Sequence, residues 1–485
     1  MSCKRPSSRR RDALGRTTAT AQFPTTCWIR SKGGSAIDPS SGNTVISHST
    51  RSTLQLTSPA AWLVRLCLLV AILTALAGLS APAQAATHTA ADFQRFLRST
   101  WPEAQKIGVS QATFDRSIAG LQPDFSLPEL DGVVRAKPNT AQAEFLRPAG
   151  DYMKESRIAG LAAAGKSVAE RWRDPLGRIE KAYGAHPSIL LAIFGRETDF
   201  GKERTTRSVL QVIATQAFAG RRKEYFREQF IWALKILEDG DVTPAAFTGS
   251  WAGAFGLTQF MPTGFRDYAV DFDGDGKRNV WSSVPDSLAS TAVELSKAVD
   301  RDGTPVGWRR DKTWGYEVRQ PKRLDCTWGG FDRPRPLKDW VKLGFTRAYG
   351  KPFRPEELDD PAFLLLPEGS GGPAFLVFNN FLALKVYNYA DLYALFVGHL
   401  ADRIDGGAPI EAKWAEQSHL TEASILALQK KLVSLGYDVG KVDGKIGWKM
   451  RIALGEFQKA QKLPVRCYPS SADVAALGGT AEVPQ

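Results

Sequence analysis

Cysteine and histidine are both scarce in this chain of 485 residues, which contains five of each. Three of the cysteines precede residue 86, which leaves Cys326 and Cys467 for the rest of the chain. Because these two residues fall in different predicted domains, we expect no disulfide framework. Neither the two cysteines nor the histidines have the spacing of a transition-metal site.

The sequence also lacks the motifs of several enzyme classes. It contains no phosphate-binding glycine loop, no nucleophile elbow and no supported Cys/His dyad, which argues against enzymes built on those motifs. The net charge of +12 is concentrated at the front, where residues 1–85 hold ten Lys or Arg and two Asp. Those residues account for +8 of the total, which leaves about +4, so we expect no nucleic-acid partner.

Residues 60–85 have the features of an export signal. An apolar run of fourteen residues, Leu66–Leu79, follows Arg65 and precedes an Ala-x-Ala pattern that ends at Ala85. The run is short for a membrane span, so we predict cleavage near Ala85 and a periplasmic protein without an integral membrane domain. If the signal is not cleaved, it would anchor the protein to the membrane. Residues 1–59, rich in Ser, Thr and Arg, are predicted to be a disordered extension or the result of a start site assigned too early.

Apolar residues recur at helical spacing along much of the chain, which predicts a mainly α fold. The length leaves room for two or three domains. Short strands are predicted around residues 363–366 and 375–378. The predicted helical regions are residues 90–120, 144–184, 187–197, 223–238 and 379–404.

Two segments near the middle of the chain concentrate residues of catalytic character. Residues 193–201 read Ile-Phe-Gly-Arg-Glu-Thr-Asp-Phe-Gly and place one carboxylate, Glu197, at the end of an apolar helix. Residues 249–262 read Gly-Ser-Trp-Ala-Gly-Ala-Phe-Gly-Leu-Thr-Gln-Phe-Met-Pro and carry Ser250 and Gln259. The small residues of this turn allow close approach of the backbone, which would bring its polar side chains beside the carboxylate.

Glu197 on its own has two interpretations. It could be a surface residue paired with Arg196 or Lys202, or an acid on an apolar wall that protonates a leaving group. No clear second carboxylate accompanies it, because Asp199 is two residues further on and would point away on a helix. The catalytic interpretation therefore requires a substrate that supplies its own nucleophile.

Together the two segments resemble the lytic murein transglycosylases of the B type, which cut bacterial cell-wall glycan. The resemblance implies a lysozyme-like α(+β) catalytic domain, here residues 86–405. It implies that Glu197 first protonates the glycosidic oxygen after N-acetylmuramic acid (MurNAc) and then deprotonates the 6-hydroxyl of that sugar. The cleaved β-1,4 bond to N-acetylglucosamine (GlcNAc) would leave 1,6-anhydro-MurNAc ends. For this chemistry the pKa of Glu197 must be raised by apolar burial.

The same resemblance implies further residues of the substrate site. As isolated residues, tyrosines at helical spacing more often belong to a core, and a polar pair in a tight turn more often satisfies backbone groups. One departure concerns Glu294, which stands where the family usually has a tyrosine a few residues after Ser290. The implied substrate-binding residues are Ser250, Gln259, Tyr152, Tyr387, Asn388 and Tyr393.

Residues 271–281 read Asp-Phe-Asp-Gly-Asp-Gly-Lys-Arg-Asn-Val-Trp, which is typical of the start of an EF-hand calcium loop. Ser282 occupies the position of the usual bidentate glutamate. The resemblance to the lytic transglycosylases implies a variant loop that uses a later aspartate, for which Asp286 is the candidate. A turn rich in Asp and Gly that binds no metal is the alternative. Bound Ca²⁺ would be structural, because the chemistry needs no cofactor. The predicted metal ligands are Asp271, Asp273, Asp275, Lys277 through its carbonyl, and Asp286.

A second domain is predicted after a linker at residues 406–418. Residues 419–480 contain, in order, Leu-Gln-x-x-Leu, Leu-Gly-Tyr, Asp-Gly-x-x-Gly and Phe-Gln elements. They resemble the small three-helix peptidoglycan-binding domain that many wall hydrolases carry. Trp448 and Met450 replace the Pro and Thr that are usual in that family, which implies an altered ligand groove.

These patterns predict an exported enzyme that acts on the glycan strands of peptidoglycan. A muramidase, in which water replaces the 6-hydroxyl, is one alternative, and the missing second carboxylate argues against it. A non-catalytic wall-binding scaffold is the other, and the presence of Glu197, Ser250 and Gln259 argues against that.

Overall fold

The computed structural model describes residues 89–128, 130, 148–415 and 420–479. The predicted extension (residues 1–59) and signal peptide (60–85) lie outside the described residues, as does part of the predicted linker. Among the described residues, no helix combines the length and the apolar character needed to cross a lipid bilayer.

Helices make up most of the described chain, which confirms the mainly α fold class. The helices are α1 Ala90–Ser99, α2 Trp101–Lys106, α3 Gln111–Ile118, α4 Ala149–Tyr152, α5 Glu155–Arg171, α6 Arg173–Tyr183, α7 Pro187–Thr198, α8 Val209–Ala219, α9 Lys223–Glu238, α10 Pro262–Tyr268, α11 Val284–Ser296, α12 Leu337–Lys342, α13 Asn379–Tyr387, α14 Asp391–Ile404, α15 Glu422–Ser434, α16 Trp448–Ala460 and α17 Ser471–Ala476. The strands are β1 Arg207–Ser208, β2 Thr248–Gly249, β3 Gly315–Arg319, β4 Arg335–Pro336, β5 Thr346–Arg347, β6 Pro361–Leu365 and β7 Ala374–Val377.

Local signals explain where several helices begin and end. The Ser110 and Thr421 side chains accept hydrogen bonds from backbone N–H groups in the first turns of α3 and α15. Pro187 opens α7, where its missing N–H costs nothing. Gly184 ends α6 in the left-handed conformation, with φ of 80°.

The predicted single helix over residues 379–404 is wrong, because two helices, α13 and α14, occupy this region. Asn388 has an extended backbone, and its Oδ1 accepts a hydrogen bond from the backbone N–H of Ala390 at 3.1 Å. An asparagine side chain that replaces a backbone acceptor in this way favours a turn over a continuous helix. The break allows Tyr387 and Tyr393 to approach from different helices, with stacked rings 6.3 Å apart.

A five-stranded antiparallel sheet, in the order β4-β6-β7-β3-β5, packs beside the helices. Successive side chains of a strand point to opposite faces. Leu365 and Phe375 therefore join the core formed with α5, α6, α7, α11, α13 and α14. Leu364 and Leu376 join a separate core on the other face of the sheet. A third core unites α1–α3 with α8–α10 and includes Phe255 of the 249–262 loop.

Cys326 and Cys467 form a disulfide, so the expectation that they do not pair is wrong. Their Cα atoms are 6.0 Å apart although 141 positions separate them in sequence. The expectation assumed that residues of different predicted domains do not meet. Instead, the C-terminal helices pack against the sheet side of the preceding residues, where Lys459 Nζ donates hydrogen bonds to Asp325 (2.6 Å) and Thr327 (2.8 Å).

Candidate active site

Glu197 lies in the last turn of α7, a helix whose residues 188–195 are all buried. The helix ends at Thr198, and the next residue, Asp199, has a left-handed backbone (φ 47°) and pairs with Lys202 at 3.3 Å. Lys202, one of the two predicted surface partners of Glu197, therefore pairs with Asp199. The helix crosses the core and delivers a half-buried Glu197 at its edge.

Tyr393 supplies a direct contact to the Glu197 carboxyl group. Its hydroxyl donates a hydrogen bond to Oε1 of Glu197 at 2.5 Å, and its side chain is 1% exposed. Burial and the neighbouring Glu197 charge raise the pKa of Tyr393 well above its usual value. The phenol therefore remains a hydrogen-bond donor to the carboxyl group across the neutral range.

Tyr387 connects the same site to the 249–262 loop. Its ring stacks on that of Tyr393, and its hydroxyl donates a hydrogen bond to the backbone carbonyl of Thr258. The loop is also tied to α7, because Thr198 Oγ1 donates to the carbonyl of Leu257 at 2.7 Å. Residues 257–258 are thus held between the helix that carries Glu197 and the helix that carries Tyr387.

Ser250 and Gln259 lie in that loop, and their observed hydrogen bonds are made within it. The Ser250 hydroxyl accepts from the backbone N–H groups of Ala252 (3.3 Å) and Ala254 (3.2 Å). Gln259 Nε2 donates to the carbonyl of Gly256 at 2.9 Å, and its backbone has φ of 60°. These contacts shape the loop, so the substrate-binding roles of both residues stay predictions.

Tyr152 and Asn388 contribute in other ways. The Tyr152 hydroxyl accepts hydrogen bonds from Nε (3.1 Å) and Nη2 (2.9 Å) of Arg196. The Arg196 guanidinium also lies over the rings of Tyr152 and Tyr393, 5.4 and 5.8 Å from their centroids. Tyr152 therefore positions the arginine that precedes Glu197, whereas Asn388 forms the turn between α13 and α14.

Glu294 belongs to the same cluster, although the sequence marked it only as a departure from the family pattern. On α11, Ser287, Thr291 and Glu294 share one face, because they are four and three residues apart. The first two bond the Thr258 hydroxyl at 3.0 Å each. Burial and then the Glu197 charge raise the pKa of the half-buried Glu294 to about 8. The helical spacing of Glu294 after Ser287 and Thr291 is the sequence signal that could have placed Glu294 in this cluster.

The predicted calcium loop brings its acidic residues together. One carboxylate oxygen from each of Asp271, Asp273, Asp275 and Asp286 lies within 4.8 Å of the others. Asp286 is fully buried and accepts backbone hydrogen bonds from Phe272 (2.8 Å), Asp273 (3.2 Å) and Asn279 (2.9 Å). A cluster of hard oxygen donors in this arrangement fits Ca²⁺. Lys277 follows Gly276, whose positive φ of 86° turns the loop.

The C-terminal helices touch the helix that carries Tyr393. Asp391, the first residue of α14, pairs with Lys385 Nζ at 2.6 Å and with Arg451 Nη2 of α16 at 2.8 Å. All three side chains are at most 14% exposed. The Trp448 ring lies against Phe331, with centroids 5.9 Å apart. Trp448 is therefore part of the contact between the C-terminal helices and the residues that precede them.

Comparison with known proteins agrees with this geometry. A model of the transglycosylase SLT domain matches residues 92–402, and a model of a peptidoglycan binding domain matches residues 421–465. Membrane-bound lytic murein transglycosylase B of Escherichia coli (strain K12) is 29% identical over 285 residues, which cover 57% of this chain and 74% of that protein.

Solved structures show the same similarity. SltB3 from Pseudomonas aeruginosa, in complex with NAG-anhNAM-pentapeptide, has a TM-score of 0.70 and 36% identity to this chain. The match covers 80% of this chain and 99% of SltB3. Escherichia coli Slt35 in complex with calcium has a TM-score of 0.50 and 24% identity, with 64% and 92% of the two chains covered. The second likeness supports the fold alone. The chain belongs to the transglycosylase SLT domain family and is a peptidoglycan lytic transglycosylase of the SltB type.

Proposed function

We propose that this enzyme cleaves the β-1,4 bond between MurNAc and GlcNAc without water and leaves 1,6-anhydro-MurNAc ends, with Glu197 as the single acid and base. The hydrogen bond from Tyr393 to Glu197 carries the proposal, because it orients the carboxyl group that would act as the acid. SltB3 was solved with a ligand that contains anhNAM, which supports an anhydro product.

In the proposed reaction, one carboxyl group both donates a proton and recovers one. Glu197 gives its proton to the glycosidic oxygen as the bond breaks, and it takes a proton back from the 6-hydroxyl of MurNAc as the ring closes. Tyr393 holds the carboxyl oriented through both steps. Ser250, Gln259, Tyr387 and Asn388 are proposed to shape the saccharide site around it.

A hydrolytic muramidase is the second candidate, because Glu294 supplies the second carboxyl group that the sequence did not indicate. A base that activates water must be ionised. The pKa of Glu294, about 8, keeps most of this residue neutral at pH 7. The transglycosylase reaction is therefore favoured.

We propose that the loop from Asp271 to Asp286 binds Ca²⁺ through the four clustered aspartates and the carbonyl of Lys277. We further propose residues 60–85 as a cleaved export signal that sends the protein to the periplasm for wall remodelling or turnover. The domains are proposed as 86–405 for catalysis, 406–418 as a linker and 419–480 for peptidoglycan binding.

Mass spectrometry of soluble products tests the assignment of the acid. Purified peptidoglycan is incubated with the protein from Ala86 onward, and with its Glu197→Gln and Asp199→Asn variants. We expect anhydro products from the parent and from Asp199→Asn, because Asp199 is directed at Lys202 and asparagine tolerates its left-handed backbone. Glu197→Gln should release none. Equal release by Glu197→Gln would show that another group is the acid.

A further inference from the structure

A buried ion pair bridges the break between the two helices that carry the site tyrosines. Lys385, near the end of α13, donates a hydrogen bond from Nζ to Oδ1 of Asp391, the first residue of α14, at 2.6 Å. Both side chains are at most 14% exposed. Tyr387 lies two residues after Lys385, and Tyr393 lies two residues after Asp391. A displacement at this ion pair would therefore displace the tyrosines as well.

A third charged side chain reaches the ion pair from the C-terminal helices. Arg451 of α16 donates from Nη2 to Oδ2 of Asp391 at 2.8 Å and from Nη1 to the carbonyl of Ile446 at 3.3 Å. Its side chain is 9% exposed. Lys385 and Arg451 thus hold different oxygens of one carboxylate. Arg451 lies within residues 421–465, which match the peptidoglycan binding domain model.

An aromatic contact fixes the approach of α16 to the same break. Trp448 precedes Arg451 by three residues and therefore lies on the same face of α16. Its ring packs perpendicular to that of Phe331, with centroids 5.9 Å apart. Phe331 stacks in turn on Phe381 of α13, and Lys385 Nζ lies 3.8 Å from its centroid. Helix α16 therefore reaches α13 through aromatic rings and α14 through an ion pair.

We propose that Arg451 is a positioning residue for glycan cleavage, which fixes the start of α14 through Asp391 and so holds the Tyr393 hydroxyl on the Glu197 carboxyl group. This proposal rests on the proposed function of Glu197. The hydrogen bond from Tyr393 to Glu197 is 2.5 Å long, and such a bond weakens when donor and acceptor separate or misalign. Catalytic groups must be held within about 0.5 Å of their productive geometry by the residues around them. A residue outside the transglycosylase SLT domain match, 92–402, thereby helps to orient the acid.

Steady-state kinetics on soluble glycan tests the proposal. Arg451→Met removes the ion pair with Asp391 and keeps a long side chain. We expect kcat to fall roughly 10-fold, because a small misplacement of a catalytic group is costly. KM should stay near the parental value, because the lost interaction orients the acid and does not bind the sugar. Arg451→Lys, which keeps a cation for Asp391, should recover most of kcat.

Lys449→Met is the matched control. Lys449 lies on the same helix as Arg451 and lines the same cleft of about 1160 Å³, but it pairs with Asp438 at 2.8 Å. The control removes the same charge from the same cleft and should keep the parental kcat. An equal fall in both variants would mean that positive charge in the cleft acts on the glycan directly, and would overturn the proposal. Parental kcat in Arg451→Met would overturn it too.

A double-mutant cycle asks whether Arg451 acts through Tyr393. In Tyr393→Phe the hydrogen bond to Glu197 is already lost, so adding Arg451→Met should lower kcat by less than about twofold. A full further fall of roughly 10-fold, as independent effects would give, would show that Arg451 acts on another group or only on stability, and would contradict the proposal. If Arg451→Met does not fold, Arg451→Gln, which can still hydrogen-bond to Asp391, takes its place.

A measurement that needs no turnover completes the test. Carbon-13 NMR of proteins labelled at tyrosine Cζ follows the hydroxyl environment of Tyr393, whose signal is assigned by its loss in Tyr393→Phe. The signal should shift in Arg451→Met and not in Lys449→Met. An unchanged Tyr393 signal in Arg451→Met would contradict the coupling. If the parent releases no anhydro product, the proposed function fails, whereas the tyrosine signal still reports on the coupling.

Discussion

At the scale of single residues, the hydrogen bond between Tyr393 and Glu197 is the contact that orients the proposed acid. Tyr393→Phe removes the donor and keeps the ring that stacks on Tyr387. A hydrogen bond to a charged or ionisable group contributes about 1.5–3 kcal/mol, so we expect kcat to fall roughly 10- to 100-fold with the fold retained. Steady-state kinetics on soluble glycan measures this. Tyr225→Phe, at a 39% exposed position, is the control, and parental kcat in Tyr393→Phe would contradict the role.

Several candidate site residues could be proposed from the sequence because they lie in recognisable segments. Glu197 and Gln259 stand within short motifs, and Tyr387 and Tyr393 follow a spacing that a family segment shares. The partners of these residues were not predictable. The acceptor of the Tyr387 hydroxyl is a backbone carbonyl, at Thr258, which no side-chain pattern reveals. Glu294 was seen but not interpreted, because its meaning depends on the register of α11 against α7.

At the scale of elements, the loop between α10 and α11 is expected to gain stability from Ca²⁺. Four clustered carboxylates repel one another until a cation neutralises them. Binding at about 100 times the dissociation constant adds about 2.7 kcal/mol to the free energy of unfolding. Thermal melting in Ca²⁺ and in a chelator measures the shift. Asp275→Asn should reduce the response, whereas Asp267→Asn, outside the cluster, should retain it; equal melting in both buffers would contradict the site.

The start of α14 gives a second prediction at this scale. Asp391→Asn would leave Lys385 and Arg451 buried without a counter-charge, at a cost of about 3–5 kcal/mol. Burial alone would raise the pKa of Asp391, but the two cations outweigh it and lower the pKa. The stabilisation is therefore present above the unfolded pKa and is lost as pH falls through the lower folded value.

Urea unfolding of the parent and of Asp391→Asn at neutral and acidic pH checks both statements. The difference in free energy of unfolding should be largest near pH 7 and should shrink in acid. A difference that does not change with pH would mean that the ion pairs are not its source. The break before α14 was missed from sequence because apolar spacing continues through Asn388 and conceals the turn that its side chain makes.

At the scale of the whole molecule, the disulfide between Cys326 and Cys467 links the sheet region to the C-terminal helices. Because it closes a loop of about 140 residues, its removal by Cys326→Ser with Cys467→Ser should cost about 2–4 kcal/mol of unfolding free energy. Melting with and without a reducing agent measures the effect. The parent should lose stability on reduction and the double variant should not respond; a parent that melts identically in both conditions would contradict the link.

The sequence predicted helices before and after residues 406–418 but not the contact between them. Periodicity and short motifs report local structure, whereas the contact joins residues such as Trp448 and Phe331, or Asp391 and Arg451, that are far apart in the chain. Trp448 was interpreted as a change in a ligand groove, although its ring packs on Phe331. These contacts could not be predicted because the two partners of each lie far apart in the sequence.

The most direct test of the central claim is to run the cleavage in oxygen-18 water and to analyse the new MurNAc ends by mass spectrometry. Ring closure by the 6-hydroxyl uses no water, so we expect anhydro ends without oxygen-18, and no such ends from Glu197→Gln. A hydrolase would place one heavy oxygen at each new reducing end. New MurNAc ends that carry oxygen-18 as the main product would show that water, and not the 6-hydroxyl, completes the reaction.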